Sequence, residues 1–172
     1  MRDSVDRLLR IADVMVPRGG RWRLPSTMTF PPGGSAWQGV NAANGFHILV
    51  VEDDEALRRL YAIRLTHWSI RPTVDVAENI SEALVQMARK RPDMMIIDLN
   101  LPGLSGFQLL RSLNEMGAPP SMVVVVVSGL SAGEIESQGG LPGWVPVFPK
   151  PIPFNELAAI AKRAAVTIGT FR

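Results

Sequence analysis

At 172 residues, with 47% hydrophobic and 20% charged side chains, the chain is long enough to bury one full hydrophobic core and carry an additional tail. It has no cysteine, which excludes disulfides and thiol catalysis. No apolar run approaches the ~18–20 residues of a membrane span, and Asp3, Asp6, Arg10 and Asp13 interrupt any secretory h-region, so a soluble, cytoplasmic protein is expected.

The net charge of +2 is too small to argue for nucleic acid, and it is unevenly placed. Residues 1–45 hold six Arg against three Asp, whereas residues 46–172 hold twelve Lys/Arg against thirteen Asp/Glu. The first segment is rich in Gly and Pro, including Gly19-Gly20, Pro31-Pro32-Gly33-Gly34 and Asn44-Gly45, and reads as a largely disordered extension. Within it, Val5, Leu8, Leu9, Ala12 and Val16 fall at helical spacing, which predicts a short helix at 4–16. Such a helix is marginal in isolation, or a docking segment for a partner or membrane surface, or, where translation starts later, for instance at Met28, not native at all.

From Phe46 the pattern changes to strands alternating with helices. Strands are predicted near 47–52, 73–77, 94–98, 122–127 and 144–148, and helices near 55–67, 80–90, 106–116, 131–138 and 153–166. The first helix carries Leu57, Leu60, Tyr61, Arg64 and Leu65, the second is expected to put Ala83, Leu84, Met87 and Ala88 on one face, and the last carries Leu157, Ala158, Ala161 and Ala165. Five strand–helix pairs imply an α/β fold, a doubly wound five-stranded parallel sheet with right-handed crossovers. Pro146 and Pro149 remove donors from the fifth strand and place it at an edge.

Polar residues follow four of the five strands: Glu52-Asp53, Asp98, Ser128 and Lys150. The second strand ends in Ala77. That distribution fits the strand order 2-1-3-4-5, in which strand 2 lies at the edge, away from the crevice at the carboxyl ends. Three carboxylates there would repel one another unless a cation intervenes, and hard oxygen donors suit Mg²⁺ or Mn²⁺. Taken singly, each has a plainer reading. Asp53 or Asp54 fits a helix cap, Asp98 and Ser128 fit turn residues, and Lys150 fits a solvated surface charge. Together they suit a phosphoryl group, with Asp98 as nucleophile, Ser128 as hydroxyl donor and Lys150 as counter-charge. A rigid turn at Lys150-Pro151, a candidate cis bond, would aim the ammonium inward.

Ile-Leu-Val-Val-Glu52-Asp53-Asp54, Pro92-Asp93-Met-Met-Ile-Ile-Asp98-Leu-Asn-Leu-Pro102-Gly, Val-Val-Ser128-Gly and Phe-Pro-Lys150-Pro151 stand in order. Asp98 lies 45 residues after Asp53, Ser128 a further 30 on, and Lys150 a further 22 on. In this, residues 46–172 resemble the receiver domain of two-component response regulators. The resemblance implies a flavodoxin-like, CheY-like fold and a phosphoryl group accepted on Asp98 from a histidine kinase or histidine phosphotransfer protein. It also implies Mg²⁺ (or Mn²⁺) held by Asp53, by Asp98, by the backbone carbonyl of Asn100 and, through water, by Glu52. Ser128 and Lys150 become the switch hydroxyl and the phosphate-pairing lysine.

The sequence departs from the family pattern in places. Val147 stands where many receivers carry an aromatic, with Trp144 or Phe148 as possible stand-ins. The helix after Ser128 is short and flanked by Gly133 and Gly139-Gly140, which suggests mobility. Leu130 is apolar where a polar residue would orient attacking water, so a long-lived phosphoryl group is expected. With no helix-turn-helix after the globular part, a stand-alone receiver working by protein–protein contact or phosphate relay is expected. The alternative is a degenerate receiver acting as a phosphorylation-independent binding module. A phosphatase is disfavoured, because Asn100 replaces the general-acid Asp such an enzyme wants two residues beyond its nucleophile. His47 and His67, at a strand start and a helix end, are not placed for phosphotransfer.

Overall fold

The computed structural model describes residues 45–103, 105–115 and 122–167. The expected helix at 4–16 lies outside the described residues. Five strands, β1 (His47–Val51), β2 (Thr73–Ala77), β3 (Met94–Ile97), β4 (Val123–Ser128) and β5 (Val147–Pro149), alternate with five helices. The helices are α1 (Glu55–Thr66), α2 (Ile80–Arg89), α3 (Gly106–Glu115), α4 (Ala132–Ser137) and α5 (Phe154–Thr167). All pairings are parallel and the order is β2-β1-β3-β4-β5, as the distribution of polar strand ends predicts.

The apolar strand runs are continuous because both faces of the sheet are covered. Leu49, Val51, Met95, Ile97, Val124 and Val126 pack towards α2, α3 and α4 with Ala83, Phe107, Leu110 and Ile135. Their neighbours Ile48, Val50, Met94, Ile96, Val125 and Val127 pack towards α1 and α5 with Tyr61, Leu65, Leu157 and Ile160. Each fully buried aliphatic side chain contributes roughly 1.5–3 kcal/mol against the ordering entropy of its segment.

Side-chain caps start the helices. Asp54 Oδ1 accepts from Leu57 N at 2.9 Å, Asn79 Oδ1 from Glu82 N at 2.9 Å, and Ser105 Oγ from Gln108 N at 3.3 Å. The cap residue of α1 is therefore Asp54, and Asp53 is left for other work. At α4 the Ser131–Glu134 pair forms a reciprocal capping box, in which Ser131 N donates to Glu134 Oε2 at 2.7 Å. That pairing also holds the Glu134 carboxyl below its ordinary range. α4 is short, but both its ends are tied: the Arg111 guanidinium of α3 donates to Gln138 O beyond its last turn.

Two expectations need correction. β5 begins at Val147, not at residue 144, because Val145 N turns back to Pro142 O at 3.0 Å and Pro146 has no N–H. On α2 the packed face is Ile80, Ala83 and Met87, and Leu84 is 44% exposed. On α1, Leu60 is 40% exposed, while Arg64 is drawn over the ring of Phe154 at 4.8 Å from its centroid.

Among the described residues no helix is long and apolar enough to cross a membrane. His47 is buried at the amino end of β1, with Nε2 2.7 Å from Asp75 Oδ2, and so serves the join between β1 and β2.

Candidate functional site

Register brings the polar strand ends together. Glu52 N donates to Ala77 O at 3.0 Å, Asp98 N to Val51 O at 3.0 Å, and Lys150 N to Ser128 O at 2.9 Å. Each residue beyond a strand is thus still held by its neighbour. The last of these bonds ties the hydroxyl-bearing and amine-bearing residues together through the backbone, and the Lys150-Pro151 peptide is cis, as expected.

Glu52 and Asp98 are buried, with Glu52 only 2% exposed and Asp98 6%. Lys150 Nζ donates to Asp98 Oδ2 at 2.7 Å and to Glu52 Oε2 at 2.9 Å. The reading of Lys150 as a solvated surface charge is thereby excluded. Burial pushes the Glu52 carboxyl above its ordinary range, opposed by the Lys150 ammonium. Burial also works against the Lys150 charge, but its bonds to Asp98 and Glu52 prevail and raise it above an ordinary lysine. The Tyr61 hydroxyl is likewise pushed up, by burial and by the charges of Glu52 and Asp98.

Carboxylate oxygens of Glu52, Asp53 and Asp98 lie within 4.8 Å of one another, and Asp53 faces solvent. Opposite oxygens in an octahedral Mg²⁺ shell stand about 4 Å apart, so the three fit a small divalent cation with modest side-chain adjustment or a bridging water. Asn100 N donates to Asp98 Oδ1 at 3.1 Å, which folds the loop after β3 back over the carboxylate. Ser128 is buried, and its Oγ accepts from Leu130 N at 3.3 Å. The half-buried Leu130 packs on the core side of this turn.

The neighbouring aromatics separate by face. Val147 packs with the α2–α4 side of the core and Phe148 is buried on the α1–α5 side, so Phe148 does not stand in for an aromatic at 147. Trp144 packs on Val147's side, and its Nε1 donates to Asn114 Oδ1 of α3 at 3.0 Å.

Two contributors are illegible in the sequence. Gly106 opens α3 hard against the strand end: a Cβ there would lie 2.8 Å from Asp98 O and 3.0 Å from Leu99 Cα. Arg58 Nη1 donates to Glu52 O at 2.8 Å and to Asp53 O at 2.6 Å. Its neighbour Arg59 is indistinguishable by type, yet it is exposed and pairs with Glu55 at 2.5 Å.

A family model described as the response regulator receiver domain matches residues 48–162. The two-component response regulator PhoP of Pseudomonas aeruginosa is 33% identical over 112 residues, covering 65% of this chain and 48% of the regulator. The chain spans about half or less of the curated relatives it matches. Among solved structures, a sensor protein from Polaromonas sp. JS666 superposes with a TM-score of 0.59 at 29% identity, covering 72% of this chain and 98% of that one. The response regulator TrrA from Thermotoga maritima, solved in complex with Mg²⁺-BeF, superposes with a TM-score of 0.55 at 24% identity, covering 69% and 98%.

Proposed function

Because the chain belongs to the response regulator receiver domain family over residues 48–162, we propose that it is switched by a phosphoryl group accepted on Asp98 from a histidine kinase or histidine phosphotransfer protein. The observation that carries this is the Asp98–Lys150 contact at 2.7 Å, beside two further carboxylates and the backbone-tied Ser128. An Asp98 oxygen attacks phosphorus, the donor's phosphorus–nitrogen bond breaks with its electron pair returning to the imidazole, and an acyl phosphate forms. Asp53, Asp98, the Asn100 carbonyl and Glu52 would hold Mg²⁺ or Mn²⁺, which when bound supplies charge neutralisation between the carboxylates and the phosphoryl oxygens.

Lys150 sits at the carboxylate that would carry the group and offers it a point charge. Ser128 Oγ, which accepts from Leu130 N within its own turn, would reorient and donate to a phosphoryl oxygen, drawing the loop before α4 with it. The signal then leaves by protein–protein contact or by phosphate relay, in the cytoplasm.

The test is incubation with acetyl phosphate and Mg²⁺, read by intact mass. Wild-type protein should gain one phosphoryl group, and Asp98→Asn should gain none. Wild-type protein that stays unmodified and shows no Mg²⁺-dependent response to beryllofluoride would instead leave a phosphorylation-independent binding module.

The acyl phosphate should also be long-lived. Leu130 packs its side chain against the core and offers no polar group to an incoming water. Leu130→Asn is expected to shorten the half-life several-fold, measured as mass loss after desalting. Phosphate loss from the wild-type protein within seconds would refute this.

A further inference from the structure

The metal-binding half of the site rests on two residues, Glu52 and Asp53, that lie beyond the end of β1. The Glu52 N–H is held by Ala77 O, but the carbonyls of both residues have left the ladder. No helix N–H reaches back to them, since the α1 hydrogen bonds begin at Asp54 O with Arg58 N at 2.9 Å. Glu52 is buried, and a buried backbone acceptor in such a position needs a donor.

We propose that Arg58 is a positioning residue, a clamp that sets the geometry of the Glu52–Asp53 loop for a divalent cation; this rests on the receiver reading above. One guanidinium nitrogen spans both carbonyls, at 2.8 and 2.6 Å, while the backbone of the same residue closes the first turn of α1. The loop is thereby gripped from the helix side just as Ala77 O grips Glu52 N from the sheet side. Arg58 touches no carboxylate oxygen, so it acts on the site only through the backbone that aims Glu52 and Asp53.

The clamp and the charge of Arg58 make opposite demands. As a cation beside a cation site, Arg58 opposes metal binding, so losing its charge alone should tighten binding. As a holder of the ligands' backbone it favours binding, and losing partners of this outer kind typically weakens metal affinity by about 10–100-fold. The sign of the change therefore decides between them.

The experiment is calorimetric titration of the full chain with MgCl2, with amide hydrogen exchange at Asp53 and Asp54 in metal-free protein. Arg58→Ala should weaken Mg²⁺ about tenfold and speed exchange at those two amides while leaving β3 protected. Arg58→Lys keeps the charge and a multi-donor nitrogen but carries it one bond less far from the backbone than Nη1, so it should recover only part of the affinity even if the alanine variant folds poorly. Arg59→Ala should match the wild type.

Unchanged or tightened Mg²⁺ binding in Arg58→Ala, with binding still lost in Asp53→Asn, would overturn the clamp and spare the receiver reading. Equal titrations of the wild type and Asp53→Asn would overturn both.

Discussion

Replacing Lys150 with methionine should lower the stability of the metal-free protein by about 2–4 kcal/mol and, at the same time, tighten its binding of Mg²⁺. The ammonium bridges Asp98 Oδ2 and Glu52 Oε2, and those carboxylates are 6% and 3% exposed at the side chain. Removing one member of a buried ion group leaves uncompensated charge and costs roughly 3–5 kcal/mol. The lower figure applies here because the Lys150 side chain keeps 25% of its surface wet, which screens the interaction. The same two carboxylates belong to the candidate cation cluster with Asp53, so lysine and metal compete for their charge. With the lysine gone, added Mg²⁺ should recover most of the lost stability, and the protein's melting temperature should become steeply dependent on Mg²⁺. Urea unfolding with and without MgCl2 measures both effects. Equal stability of variant and wild type without metal would show that the three-residue ion group holds nothing in place.

Gly106→Ala should destabilise the protein by about 1–3 kcal/mol, although alanine is the better helix former by roughly 0.8–1 kcal/mol. The added Cβ would lie 2.8 Å from Asp98 O and 3.0 Å from Leu99 Cα, and backbone cannot swing aside as a flexible side chain does. Either α3 lifts away from the sheet or the strand end that carries Asp98 moves, so binding of beryllofluoride should weaken along with stability. Gly133→Ala in α4 provides the opposite sign. A Cβ there meets nothing within 4 Å, so that variant should be neutral or more stable by up to about 1 kcal/mol. Thermal unfolding of the pair separates close approach from helix propensity, and a stabilised Gly106→Ala would refute the steric account.

Much of the site is legible because strand ends punctuate the sequence. Asp98 and Ser128 follow runs of buried Met, Ile and Val, and the step from apolar run to polar residue marks where the chain leaves the sheet. β5 is read three residues too early for the same reason: Trp144 and Val145 are apolar and packed, but apolar burial does not report whether a backbone pairs. Leu84 is placed on the packed face by spacing alone, whereas α2 is rotated so that Ile80 and Ala83 meet the sheet. Arg58 and Arg59 are the same letter twice. Only their angular positions on α1, one over the loop and one over solvent, give them different roles.

The sequence by itself determined the fold class and the strand order, and it placed the candidate site residues at one sheet edge, because burial on two faces imposes continuous apolar runs and a parallel sheet gathers its polar ends at one edge. It also determined the cis Lys150-Pro151 turn as a candidate, through proline's weak trans preference. Only the tertiary structure decided that Lys150 engages Glu52 as well as Asp98, that Phe148 and Val147 face opposite cores, that Gly106 lies against the Asp98 strand end, and that Arg58 bonds the Glu52 and Asp53 carbonyls. Those outcomes depend on distances between residues far apart in the chain, and no local pattern of residue types encodes a distance.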